Sequence, residues 1–263
     1  MPATGALRAH VSTYGKAVVR GARTALLVHG AGMDQSVWTL QGRYLAFHGW
    51  NALAVDLPGH GRARGEAGLT SIEAMADWLA ELASALATGP AVVVGHSMGA
   101  LAALDLAARH PERVERLVLL GAAARMPVHP ELLALARAHD PKAVELICDW
   151  AFGARARLGG NPFPGAWLVG TARSLLLRGD PEVLARDLAA CDGYDAGEAR
   201  AACVACPTLV VVGAEDRMTP PAAGRKLAGL LPRGECRELK GVGHMMMVEE
   251  PEATLDALKD FLG

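Results

Sequence analysis

The sequence predicts an α/β fold, a mostly parallel central sheet flanked by helices, with a helical cap inserted into it. Three observations carry this prediction. First, residues 25–28, 52–55, 91–94, 117–120 and 208–212 are continuous apolar runs of four or five residues, the pattern of strands buried on both faces. Second, helical patterns lie between them, so strands and helices alternate with short connections. Third, one connection is far too long for a crossover: 87 residues (121–207) separate two of the runs.

Along the chain, Met1, Pro2, Ala3, Thr4 and Gly5 give neither a basic nor an apolar leader, so no signal peptide is expected. The run at 25–28 stops at His29-Gly30, and that at 52–55 stops in the turn Asp56-Leu57-Pro58-Gly59. Ile72, Met75, Ala76, Leu79, Leu82, Ala83 and Leu86 form the i, i+3, i+4, i+7 stripe of an amphipathic helix. The run at 91–94 leads through Gly95-His96 into a helical pattern at 100–109, and the run at 117–120 ends at Gly121. The long connection is not of low complexity. It has helical patterns at 130–139, 141–150 and 181–190, and holds Trp150, Phe152, Phe163 and Trp167, a large share of the aromatic residues. Gly153, Gly159, Gly160 and Gly165 would permit hinges there. The run at 208–212 ends at Gly213, a short strand-like run follows at 236–239, and a helical pattern at 253–262 closes the chain. The expected organisation is therefore a core of residues 1–122 and 205–263, with a cap of residues 123–204 inserted after the sixth core strand.

Composition narrows the function. The 263 residues suffice for one large domain or two small ones, and 51% hydrophobic content excludes low-complexity disorder. No apolar run approaches membrane-spanning length. A formal net charge of −2 gives no electrostatic support to nucleic-acid binding. The five cysteines are odd in number and irregular in spacing, which fits reduced thiols and a cytoplasmic location. Cys203 and Cys206 have redox or zinc spacing, yet no second pair or neighbouring His completes a site, so a structural role is expected. Gly59, Gly61 and Gly65 miss the dinucleotide-binding spacing, and no metal or nucleotide motif is present, so no cofactor is expected.

Chemistry enters at Gly95-His96-Ser97-Met98-Gly99, a G-x-S-x-G between a strand and a helix. Small residues at both ends allow a sharp turn that lifts the serine above the sheet, at a helix N-terminus where developing negative charge is favoured. A serine hydroxyl needs a base, and the base needs an orienting carboxylate. The chain supplies both, in the order Ser97, Asp216, His244. Asp216 follows the run at 208–212, and His244 lies between the last strand-like run and the last helix. Loops at the carboxyl edge of a parallel sheet gather, so the three can meet. Glu215 is the competing acid, and Asp216 is favoured because it ends the turn.

Five segments, namely 27–31 (Leu-Val-His-Gly-Ala), 55–61 (Val-Asp-Leu-Pro-Gly-His-Gly), 95–99, 207–216 and 243–251, resemble the landmarks of the α/β-hydrolase superfamily in order, and the resemblance covers nearly the whole chain. It implies the α/β-hydrolase fold, Ser97 as nucleophile, His244 as general base, Asp216 as its partner, and an oxyanion hole from the backbone N–H groups of Ala31 and Met98. Such donors are worth about 3 kcal/mol each in a transition state. Dehalogenases and epoxide hydrolases of this superfamily use an aspartate where this chain has Ser97, so alkyl substitution is set aside. Proline iminopeptidases carry cap acids that hold a free amine, and this branch is downgraded. His96 is expected to support the turn, and Asp56 and His60 to build one. Candidate pocket residues are Gly32, Trp38, Trp150, Phe163, Trp167 and Met245.

The expected function is hydrolysis of a small ester or lactone by a cofactor-independent serine hydrolase such as a carboxylesterase or lactonase, with no nucleic-acid or membrane partner. Carbon–carbon bond hydrolysis of a ring-fission product, favoured if cap arginines such as Arg155, Arg157 or Arg173 face the pocket, is the alternative. A ligand-sensing receptor is a more remote one.

Overall fold

The computed structural model describes residues 9–86, 89–162 and 165–263. Seven strands, β1 (His10–Ser12), β2 (Thr24–Val28), β3 (Asn51–Asp56), β4 (Ala91–His96), β5 (Val114–Leu120), β6 (Thr208–Gly213) and β7 (Gly234–Leu239), form one sheet in the order β1-β3-β2-β4-β5-β6-β7. Among the described residues only the β1–β3 pair is antiparallel. The strand runs read as continuously apolar because both faces are covered, and the side chains alternate between two layers. Ala25, Leu27, Val92, Val94, Val118 and Leu120 face one layer, while Leu26, Val28, Val93, Leu117 and Leu119 face the other.

Among the described residues twelve α-helices cover the sheet or extend beyond it. In the core, α1 (Thr39–Phe47), α2 (Ile72–Leu86) and α3 (Met98–Arg109) precede β5. Between β5 and β6 come α4 (Pro130–Arg137), α5 (Lys142–Ala151), α6 (Ala154–Arg157), α7 (Leu168–Arg178), α8 (Pro181–Gly193) and α9 (Gly197–Cys203). Then α10 (Pro221–Leu230) joins β6 to β7, and α11 (Met246–Glu249) and α12 (Pro251–Leu262) end the chain. Helices α2, α3 and α10 pack on one face of the sheet, and α1 and α12 on the other. Among the described residues no helix is long and apolar enough to cross a membrane.

Two boundaries differ from expectation. The insert leaves the core after the fifth strand, not the sixth, because among the described residues a single short antiparallel strand precedes β2. Its last helix, α9, packs on α3 in the core layer rather than over the sheet edge, with Ala201 and Val204 buried there.

That contact is fixed by Asp105 on α3, which is fully buried and accepts hydrogen bonds from Arg109 (2.5 Å), Arg200 (2.8 Å) and the Tyr194 hydroxyl (3.0 Å). Removing the carboxylate strips three donors of their acceptor, although the guanidiniums of Arg109 and Arg200 are partly exposed and regain water. Asp105→Ala is expected to lower unfolding free energy by about 1–3 kcal/mol, read from the urea midpoint.

Candidate active site

The sheet order reverses direction between β2 and β4, and at such a switch point the loops leaving the carboxyl ends of the two strands open a crevice. Ser97 stands there, between β4 and α3, with φ +53°. A side chain at Gly95 would overlap the Gly99 carbonyl and approach Ala100 Cα to 2.7 Å, and one at Gly99 would approach the Val28 carbonyl oxygen to 2.6 Å. Both glycines are therefore required by close approach. The Ser97 N–H is anchored on the Leu120 carbonyl at 2.9 Å.

From β6, Asp216 points at His244. Its Oδ2 accepts from His244 Nδ1 at 2.8 Å and from the Thr219 hydroxyl at 2.7 Å, while Oδ1 accepts from the Met218 and Thr219 N–H groups, both at 2.8 Å. Burial alone would raise this carboxyl, but the His244 charge and hydrogen bond, with those from Thr219, outweigh it and hold Asp216 below the ordinary carboxylate value. With Nδ1–H donated to Asp216, His244 keeps Nε2 free to accept a proton. Glu215, the competing acid, turns away and accepts from the Ala154 N–H at 2.7 Å.

The histidine is clamped on every side. Its N–H donates to the Ala151 carbonyl at 2.6 Å, and its own carbonyl accepts from His96 Nε2 at 3.0 Å. Burial and the neighbouring His244 push the His96 pKa down to about 3, so His96 stays neutral; the sequence predicts that it supports the turn at Ser97, and its hydrogen bond goes to the His244 backbone. Buried Glu249 accepts from the N–H groups of Gly243 and Met245 (both 3.1 Å), which flank His244, and from that of Gly153 (2.9 Å). Gly121, φ +57°, leaves room for the imidazole, since a side chain there would come within 2.9 Å of Nδ1. Among the described residues no hydrogen bond joins the Ser97 hydroxyl to His244; both open onto the same cavity, and in resting sites this contact often tightens only with substrate.

Opposite lies the loop after β2. Among the described residues the backbone N–H groups of Ala31 and Met98 donate to no other backbone group, and a side chain at Gly30 would come within 3.2 Å of Ser97 Cβ. Gly32 does not join them. Its N–H donates to Asp187 of α8 at 2.8 Å, and the same carboxylate oxygen lies 2.7 Å from His60 Nε2. This buried pair pins the cap to the loop that carries Ala31. Burial alone would lower the His60 pKa, but the Asp187 charge and hydrogen bond outweigh it and raise it. A raised value means the pair's contribution to stability is full below the unfolded histidine value, about 6.5, and is lost as pH rises through the folded value. The Tm advantage of the protein over His60→Gln is expected to shrink between pH 6 and pH 9.

The cavity above Ser97 and His244 encloses about 820 Å³. Its walls are mostly apolar, with Met126, Val128, Leu132, Ile147, Trp150 and Leu188 among them. Trp150 is where the sequence placed it, edge-on to His129 at 5.4 Å. Four other pocket candidates are not. Gly32 lines a separate cavity of about 390 Å³, because its N–H is turned to Asp187. Trp38 ends a one-turn helix with its ring driven wholly into the core. Trp167 is 67% exposed, its ring lying over Gly170. Met245 is buried in the core under Glu249. Phe163 lies outside the described residues. Arg155, Arg157 and Arg173 do not line the cavity; they pair with Glu250, Asp149 and Glu145. Sequence reasoning missed Thr219, Asp187 and Glu249. Only Glu249 left a signal, as part of the landmark segment around His244.

A model of the alpha/beta hydrolase family matches residues 25–257. A pimeloyl-[acyl-carrier protein] methyl ester esterase from Chromobacterium violaceum is 32% identical over 244 residues, covering 90% of this chain and 93% of its own. Among solved structures, an enol-lactonase from Burkholderia xenovorans LB400 matches with TM-score 0.82 and 26% identity, covering 97% of this chain and 95% of the other. A thermophilic esterase from Thermogutta terrifontis, solved with malate bound, matches with TM-score 0.79 and 27% identity, covering 92% and 90%.

Proposed function

The chain belongs to the alpha/beta hydrolase family, and from that premise we propose that it is a cofactor-independent serine hydrolase of carboxylic esters or lactones. Its esterase and lactonase relatives support the reaction class. The observation that carries the assignment of roles is the buried His244–Asp216 hydrogen bond of 2.8 Å, set behind a cavity that Ser97 enters on a strained turn. Ser97 Oγ attacks the carbonyl as His244 Nε2 takes its proton. The N–H groups of Ala31 and Met98 receive the oxyanion, and Asp216 stabilises the imidazolium. The proton passes to the leaving alkoxide, the alcohol departs, and water resolves the acyl-enzyme with His244 again as base.

The test is hydrolysis of p-nitrophenyl esters from acetyl to decanoyl beside folded Ser97→Ala. Turnover with an optimum in chain length, lost in the variant, is the expected result. Turnover unchanged in the variant refutes the mechanism.

One observation favours carbon–carbon hydrolysis as a second reading. Arg125 and Arg217 do line the cavity, and ring-fission products are carboxylates. Loss of colour of such a product, with no turnover of any ester, would favour it.

A further inference from the structure

The charges that line the catalytic cavity are unbalanced. Arg125 and Arg217 both reach it, and among the described residues no Asp or Glu does. Arg125 follows the carboxyl end of β5 and Arg217 that of β6, and these strands are neighbours. Among the described residues neither guanidinium makes an ion pair; Arg217 has a 3.4 Å contact to the Asp149 carbonyl. The carboxylates around them are engaged elsewhere, Asp149 with Arg157 at 3.0 Å and Glu198 with Lys226 at 2.7 Å. The Glu198 carboxyl is held below its ordinary value chiefly by its bond to Lys226, with a smaller contribution from Arg125. The other cap acids, including Glu131, Glu145 and Asp187, do not line the cavity.

A planar guanidinium with free N–H groups matches a carboxylate, and two of them lining one cavity repel a cation. From this we infer that the substrate is an ester or lactone whose apolar body ends in a carboxylate, held by Arg125 and Arg217 while the body lies along Leu132, Ile147 and Trp150. The inference rests on the ester-hydrolase reading above and deepens it. It also disfavours substrates with a free amine. Both arginines are exposed residues, so the gain is moderate and weakens with salt.

The experiment compares monomethyl esters of the C4–C8 dicarboxylic acids with methyl esters of the monocarboxylic acids of equal carbon number. A second arm places the carboxylate in the leaving group, as acetyl esters of ω-hydroxy acids. In at least one arm kcat/KM for the anionic ester is expected to be about tenfold higher, carried by KM and reduced in 0.5 M NaCl. Arg125→Gln and Arg217→Gln bring that ratio toward one, Arg217→Lys restores part of it, and Arg173→Gln on the surface leaves it unchanged.

Ser97-dependent turnover with no anionic preference in either arm overturns this inference and leaves the hydrolase reading standing. Absence of all ester turnover overturns the hydrolase reading instead. In that case calorimetric binding of the same ester pairs to Ser97→Ala still decides the inference: tighter binding of the anionic member, lost in Arg125→Gln, sustains it, and equal binding overturns it.

Discussion

Ser97→Ala is expected to lower kcat on the best p-nitrophenyl ester by about 10⁶, the scale seen when the serine of a unit acting in concert is removed. The fold should be untouched, because alanine keeps the Cβ and Ser97 makes no side-chain hydrogen bond to a neighbour among the described residues. The turn itself offers a second readout. A non-glycine residue at φ +53° stores about 1–3 kcal/mol of strain. Ser97→Gly relieves it at an entropic cost of about 0.5–1 kcal/mol. The glycine variant should thus be inactive yet melt about 2–4 °C higher than the protein itself, measured by calorimetry. A lower Tm would mean that the serine is not held against its conformational preference.

Asp216→Asn is expected to cost about 10⁴ in kcat, with KM little changed. The amide can turn its NH₂ to His244 Nδ1, which fixes the proton on Nε2, the wrong nitrogen for a base. The present surroundings make the carboxylate specific. Two N–H groups and the Thr219 hydroxyl all donate to it, which suits an ionised acceptor and no other group. Thr219→Val should therefore lose about tenfold, in kcat, through Asp216. Glu215→Gln should stay within about twofold, since Glu215 is spent on the Ala154 N–H. A reversal of the Asp216 and Glu215 effects would reassign the acid.

The central strands were legible because a parallel sheet covered on both faces leaves continuous apolar runs, and helix 72–86 because its stripe is regular. Helices α7, α9 and α10 were not read, and of α1 only the start near Trp38 was. Their glycines and mixed faces blur the period, as at Gly42, which the Tyr14 ring crowds, and Gly224, packed under Val212. Ser97, Asp216 and His244 were legible because each sits in a turn whose local chemistry is tied to its position. The pocket was not, because whether Trp38 or Trp150 faces the cavity depends on the packing of the inserted helices, which no local spacing encodes. Asp187 lies 155 residues from the Gly32 N–H it holds, and nothing near it in sequence announces that bond. The arginines show the same limit. Arg155, Arg157 and Arg173 stood in the expected region, yet acidic neighbours hold them on the surface, while Arg125 and Arg217 reach the cavity from strand ends.

In the proposed reaction Ser97 carries the acyl group. The most direct measurement is intact-protein and peptide mass spectrometry after rapid acid quench with a p-nitrophenyl ester. One added acyl group on the peptide that contains Ser97 is expected, formed in a burst of one p-nitrophenol per chain where deacylation is the slower step, and absent in Ser97→Ala. Steady turnover without a label on that peptide, or the same label in Ser97→Ala, would contradict it.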